Sequence, residues 1–232
     1  GALQTDDRAL SPDGNGDATG NGAGTTTDTA GVGDLFTVTA STGADNADDT
    51  DDIVYSLELG ASPASGLFDT KTNEQIFLIV DGDDIVGKHG TNVTDADDNG
   101  AEVFRVSVAA NGDVTLTQSR AIRHDTDETA ADYDDDVIAL GADKIILRAT
   151  ISDDETDADT ATTTLDISQK ISFTDDGPTI ALGMGQGALQ TDDRALSPDG
   201  NGDATGNGAG TTTDTAGVGD LFTVTASTGA DN

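Results

Sequence analysis

The chain has 232 residues, with 45 Asp and Glu against 10 Lys and Arg, a formal net charge of −35. Such a chain repels phosphates and anionic headgroups, which argues against nucleic acid as a partner and disfavours anionic membrane surfaces. It has no cysteine, so no disulfide or thiolate metal site, and no run of about 18 apolar residues to span a bilayer.

The chain opens on GALQTDDRAL, which does not read as a cleavable signal peptide. A Gly/Asp/Thr-rich stretch follows at 11–33, either a flexible loop or one ordered by cations. LFTVTA (35–40) alternates and reads as a strand. IVYSLEL (53–59) puts Ile53, Tyr55, Leu57 and Leu59 on one face, with Ser56 and Glu58 on the other. IFLIV (76–80) is continuously apolar, as in a central strand. VFRVSVAANGDVTLTQ (103–118) reads as a hairpin with a tight Asn111-Gly112 turn and Val106, Val108, Val114 and Leu116 inward. Short helical turns are expected near 129–140. DKIILRATIS (143–152) and TATTTLDISQKISF (160–173) alternate again. No long segment carries a 3.6-residue period. The fold class expected is all-β, an antiparallel β-sandwich with an aliphatic core and long Gly/Asp-rich loops.

The first 46 residues return unchanged at 187–232, an offset of 187 − 1 = 186. Identity over that length marks a tandem array with one unit per period. Residues 1–177 read as one repeat and 178–232 as the start of the next. If TIAL (179–182) is a module's first strand, the fold ending at Asp176 borrows that strand from elsewhere or begins later in the chain.

The acids cluster. Asp is a compact oxygen ligand for hard cations and prefers turns to helices. Asp153, Glu155, Asp157 and Asp159 fall at every second position between two strong strands, a spacing that lets several carboxylates curl around one ion. Asp13, Asn15 and Asp17 have the D-x-N-x-D rhythm of a Ca²⁺ loop, without the distal Glu of an EF-hand. Asp175 and Asp176 adjoin a Gly-Pro seam. Two carboxylates about 4 Å apart repel by about 4 kcal/mol at an effective dielectric of about 20. An ion at the seam would offset this, drawing on Asp175 and Asp176 together with Asp192 and Asp193, the copies of Asp6 and Asp7 in the opening TDDRAL. The cofactor expected is therefore Ca²⁺. The clusters at 47–52, 95–99 and 124–128 read instead as solvated loops. His89 and His124 read as isolated surface residues, with no HExxH, GxSxG or P-loop nearby.

LFTVTA, YSLELGASPASGLFDTKTNEQIFLIVDGDDIVGK, VFRVSVAANGDVTLTQSRAIRH and IILRATISDDETDADTATTTLDISQKISFTDDGPTI together resemble one repeat of the RTX adhesins. These are large type I-secreted surface proteins of Gram-negative bacteria. The block VTLTQ…AI.H and the closing F.DDGP carry the likeness most specifically. The resemblance implies an Ig-like, Ca²⁺-stabilised extender domain. Such domains project a distal ligand-binding domain from the cell surface for attachment and biofilm formation. One departure is that ISDDETDADTA stands where the family commonly has an ATDGDGDTA-like loop, with acidic residues in place of an expected Gly. The Gly-rich RTX nonapeptide is absent, so this is not the secretion-signal end.

The function expected is a non-catalytic spacer whose partners are neighbouring repeats of the same chain. The rival is a Ca²⁺-dependent glycan- or ice-binding module of the same adhesin, disfavoured because recognition tips are usually present once. An enzyme is disfavoured too: there is no Trp and only two Tyr to form a sugar platform.

Overall fold

The computed structural model describes residues 1–10, 25–41, 53–124, 136–152, 160–175, 179–191 and 214–227. The chain divides into two compact units, Gly1–Pro178 with Ser227–Asn232, and Thr179–Ala226.

The first unit is an all-β sandwich. Its elements in order are β1 (Leu3–Asp6), β2 (Thr26–Ala30), β3 (Val54–Leu59), β4 (Ala64–Phe68), β5 (Gln75–Asp81) and β6 (Asp84–Gly90). Then come a short helix α1 (Val93–Asn99), β7 (Glu102–Val108), β8 (Val114–Gln118), β9 (Val137–Ala139), β10 (Ile145–Ser152), β11 (Thr160–Asp166) and β12 (Ile171–Thr174). Antiparallel strands form a six-stranded sheet in the order β2-β8-β7-β6-β5-β4. Two three-stranded sheets, β11-β10-β3 and β1-β12-β9, complete the fold. β3 packs across the large sheet against β5, β6 and β7, while β1 packs on β2 and β8.

One aliphatic core joins all three sheets. It includes Leu3, Leu57, Ile76, Leu78, Ile85, Val106, Leu116, Ile145 and Ile171, with Phe104 and Phe173 in contact at 5.1 Å between ring centres. Period-2 alternation explains most of this. Ile76 and Leu78 of β5 are fully buried, whereas Val80, at the same parity, is exposed where the strand runs out of the core. The face expected for β3 is observed, with Ile53 and Leu57 buried and Tyr55 and Leu59 packed against the core.

Four local expectations are corrected. LFTVTA (35–40) forms no strand, and only Phe36 makes an isolated bridge, to Val32. The β7–β8 hairpin does not turn on two residues: Ala109 and Asp113 still bond at 2.8 Å, and Gly112 N donates to Ala109 O at 2.9 Å. The loop is three residues with Gly112 at φ 86°, the left-handed position that closes such a turn. Residues 160–173 are not one alternating strand but β11 and β12, separated by a 3-10 turn at Ser168–Lys170. The acidic segment 95–99 is helical rather than a loop. Asn92 caps it by accepting from Thr94 N and Asp95 N, and Asp95 accepts from Thr91 N in return. The expected turns at 129–140 fall mostly outside the described residues; within them, 137–139 is strand β9.

The pairing that closes the unit is long-range. β1 lies parallel to β12, with Leu3 opposite Ile171 and Asp6 opposite Thr174. In the second unit, β13 (Thr179–Met184) pairs with β14 (Phe222–Ser227).

Candidate metal centre

The residues just past the ends of β1 and β12 are Asp7 and Asp175. Parallel pairing in register brings both to the same end of the strand pair. His124 joins them from the segment that follows β8. One ligand atom from each of the three lies within 4.8 Å of the other two. All three are buried, at 0 % exposure for Asp7 and 4 % each for His124 and Asp175.

The segment Ser119–His124 explains how this cluster is held. Gln118, at the end of β8, accepts from Thr5 Oγ1 at 2.6 Å and donates from its amide to Asp7 Oδ1. Ile122 N donates to Asp7 Oδ2 at 3.1 Å. Both oxygens of Asp7 are thus oriented from the β8 side. Arg120 makes a two-pronged pair with buried Asp69, at 2.8 and 3.0 Å, which pins the middle of the segment. Asp69 also accepts from Thr72 N and Thr72 Oγ1, each at 2.8 Å. Burial pushes the Asp69 carboxyl up, but Arg120 and Thr72 together outweigh it and leave the group below its ordinary value.

His124 Nε2 stands 3.1 Å from the carbonyl of Phe173, within β12. That contact makes Nε2 the protonated nitrogen when the ring is neutral, and leaves the lone pair on Nδ1. Nδ1 is buried, lies 3.4 Å from Asp175 Oδ1, and has no hydrogen bond among the described residues. A ring nitrogen and two carboxylate oxygens this close together can act as ligands to one cation, with the Phe173 carbonyl as the outer partner of the ring. Ca²⁺ takes six to eight oxygens, whereas His with two carboxylates suits a first-row cation such as Zn²⁺.

Among the residues expected from sequence to bind an ion, the structure brings Asp7 and Asp175 together. Asp6, the last residue of β1, is half-buried beside them in sequence. Asp13, Asn15, Asp17, Asp153, Glu155, Asp157, Asp159, Asp176, Asp192 and Asp193 lie outside the described residues. The described meeting of acids joins the start and the end of one unit, whereas the sequence reading joined the end of one to the start of the next.

The expectation that His124 is a surface residue is overturned, because the β1–β12 closure covers it. His89 is also not free: its ring, 14 % exposed, lies 2.7 Å from Glu74 Oε2. Gln118 and His124 were missed as site residues, although both fall in the VTLTQ…AI.H block that stands out in the sequence. Elsewhere some of the described acids are paired in ordinary ways. Arg105, for example, gathers Asp81, Asp84 and Glu102.

Fold and site together define an all-β sandwich module closed by its terminal strands, with a buried carboxylate–imidazole cluster at the closure. The chain belongs to the family described as a domain of unknown function, DUF5801, whose model matches residues 2–168. No curated protein matches the chain, and no solved structure matches it. No helix among the described residues is long and apolar enough to cross a membrane.

Proposed function

We propose that this chain is one unit, and the beginning of the next, of a non-catalytic spacer in a secreted bacterial surface adhesin, clamped by a divalent cation. The observation that carries the reading is the parallel pairing of β1 with β12. Two parallel terminal strands put the incoming chain at one end of the pair and the outgoing chain at the other. Tension along a string of such modules then loads the ladder in shear, all hydrogen bonds together, instead of opening them one by one. The 186-residue repetition supplies the string.

Asp7, His124 and Asp175 stand where both terminal strands end, so an ion held by them would tie the sheared pair together. Bound there, the cation supplies charge compensation between the two carboxylates and a coordination tie, not chemistry on a substrate. The Ca²⁺ reading of the acidic loops belongs to the same proposal. There, extracellular Ca²⁺ folds and stiffens modules that stay loose in Ca²⁺-poor cytosol.

The test is force spectroscopy on the chain pulled between its ends, in EDTA, in millimolar Ca²⁺ and in micromolar Zn²⁺, beside thermal unfolding in the same buffers. A cation at one hundred times its dissociation constant adds about 2.7 kcal/mol. A response to Ca²⁺ alone assigns the effect to the loops. A response to Zn²⁺ that disappears in His124→Ala assigns it to the buried cluster. Unfolding at equal force in all three buffers overturns the clamp. Specific retention on a glycan array overturns the spacer in favour of a recognition module.

A further inference from the structure

The sequence FTVTAS occurs twice and is folded in two ways. At 222–227 it is strand β14, paired with β13. At 36–41 it forms no strand; only Phe36 makes an isolated bridge, to Val32. The turn before it is the same in both places. Gly33 N donates to Phe36 O at 2.7 Å, and Gly219 N to Phe222 O at 2.8 Å. What differs is the neighbour, since β13 lies beside the second copy only.

Residues 36–41 border an open groove of about 260 Å³. Its walls include Val38 and Ala40 on one side and Ile53, Ala149, Ile151 and Ala161 from the β3, β10 and β11 side on the other. Among the described residues no strand fills this groove. The missing neighbour can be read from the second copy. Gly185 N donates to Leu221 O at 2.8 Å and Gly183 lies against Thr223, so β13 and β14 are antiparallel, with Leu182 across from Val224 and Met184 across from Phe222. Directly opposed residues share a face. Ile180, Leu182 and Met184 therefore lie on the face of Phe222 and Val224, whose copies Phe36 and Val38 point into the core of the first unit. Those three donor side chains are 75 %, 73 % and 87 % exposed here.

We propose that the groove beside residues 36–41 seats a β-strand with the sequence of Thr179–Met184, donated by the repeat that precedes it in the array. The register is already begun. Gly1 N, the chain's amino terminus, donates to Asp34 O at 2.6 Å, as Gly187 N does to Asp220 O at 2.6 Å. TIALGMGQ (179–186) stands directly ahead of the second GALQTDD, and a preceding repeat of the same period would set the same segment ahead of Gly1. Continued backward from Gly1, that segment runs along residues 35–40 and turns Ile, Leu and Met into the groove. Each module is then completed by the strand that leads into it. The proposal stands apart from any cation.

The experiment compares the chain with a version carrying TIALGMGQ ahead of Gly1, and with a second version whose added segment has Asp in place of the residues matching Ile180 and Leu182. Thr225→Ser, at an exposed position, separates the peptides of the second copy by mass from those of 36–41. Backbone amide exchange at 36–41 should slow by roughly tenfold or more with the native segment, and the melting temperature should rise by about 5 °C. The Asp-bearing segment should do neither. Unchanged exchange at 36–41, or equal protection by both segments, overturns the proposal.

Discussion

Leu3 has no exposed surface, while Leu189, its copy, is 56 % exposed. The two stand in identical sequence, and so do the regions around them. Gln4 N donates to Asp28 at 2.9 Å, and Gln190 N donates to Asp214 at 2.8 Å. The Gly31–Phe36 turn and its copy share their hydrogen bonds, and Gly33 and Gly219 have φ of 96° and 92°. Longer-range features are not shared. Thr26–Ala30 is a strand against β8, whereas 214–216 is not a strand. Leu3 pairs with Ile171, whereas 187–191 forms no strand. Turns and side-chain links to nearby backbone are thus properties of the segment. Strands are properties of the segment and its partner together.

The comparison breaks most sharply at the leucines. Leu3→Ala should destabilise the first unit by about 2–5 kcal/mol, and Leu189→Ala by less than about 0.5 kcal/mol. Urea unfolding followed by tyrosine fluorescence reads this directly, since both tyrosines, Tyr55 and Tyr133, lie in the first unit. A comparable loss from Leu189→Ala would mean that Leu189 takes the place of Leu3 beside Ile171 in solution. Next in size, Asp7→Asn turns an amide toward donors that need an acceptor, Gln118 and Ile122 N. It should cost about 1–3 kcal/mol and remove any stabilisation that titrated divalent cation gives at this cluster.

Gly33→Ala and Gly219→Ala sharpen the other half of the contrast. A side chain at positive φ costs about 1–2 kcal/mol in either copy, and neither site has an atom within 4 Å to add a steric difference. Equal local losses, read as faster amide exchange at Leu35 and Leu221, are expected. Unequal ones would show that the turn depends on its surroundings after all. The smallest effect is acid sensitivity, through Asp69, which belongs to the part of the repeat not copied here. Its folded carboxyl ionises below the ordinary 3.8, so the folded state binds this proton less tightly than the unfolded chain. Its stability contribution is full above that value and is lost as pH falls below it. Acid titration of Tyr fluorescence should therefore show a steeper loss below about pH 4 in the native chain than in Asp69→Asn.

Much of the sandwich was legible because burial follows parity along β3, β8 and β10. The long block 160–173 was misread because alternation does not reveal a 3-10 break. α1 was missed because Asp95, Asp97 and Asp98 read as loop acids, although Asn92 three residues before Asp95 is a capping signal. Residues 35–40 have the alternation of a strand but no neighbouring strand among the described residues. Asp7 and Asp175 were visible as members of paired aspartates. His124 was not, because nothing near it in sequence says that β12 will cover it.

The closing pair also sets a problem of timing. Ser172 Oγ reaches the carbonyl of Leu3 across 169 residues of sequence, so β1 must wait for nearly the whole unit before it finds its place, and closures of this length fold slowly. Meanwhile an identical competitor is synthesised close by. LQTD recurs at 189–192, and the 14 residues between Thr174 and Leu189 are enough for the crossover that a parallel pair requires. While β12 waits, it has a right partner far behind it and a perfect imitation just ahead. Identical neighbours in a tandem array invite that exchange. The two copies of LQTD are identical, so only their separation from β12 along the chain, and not their sequence, tells them apart.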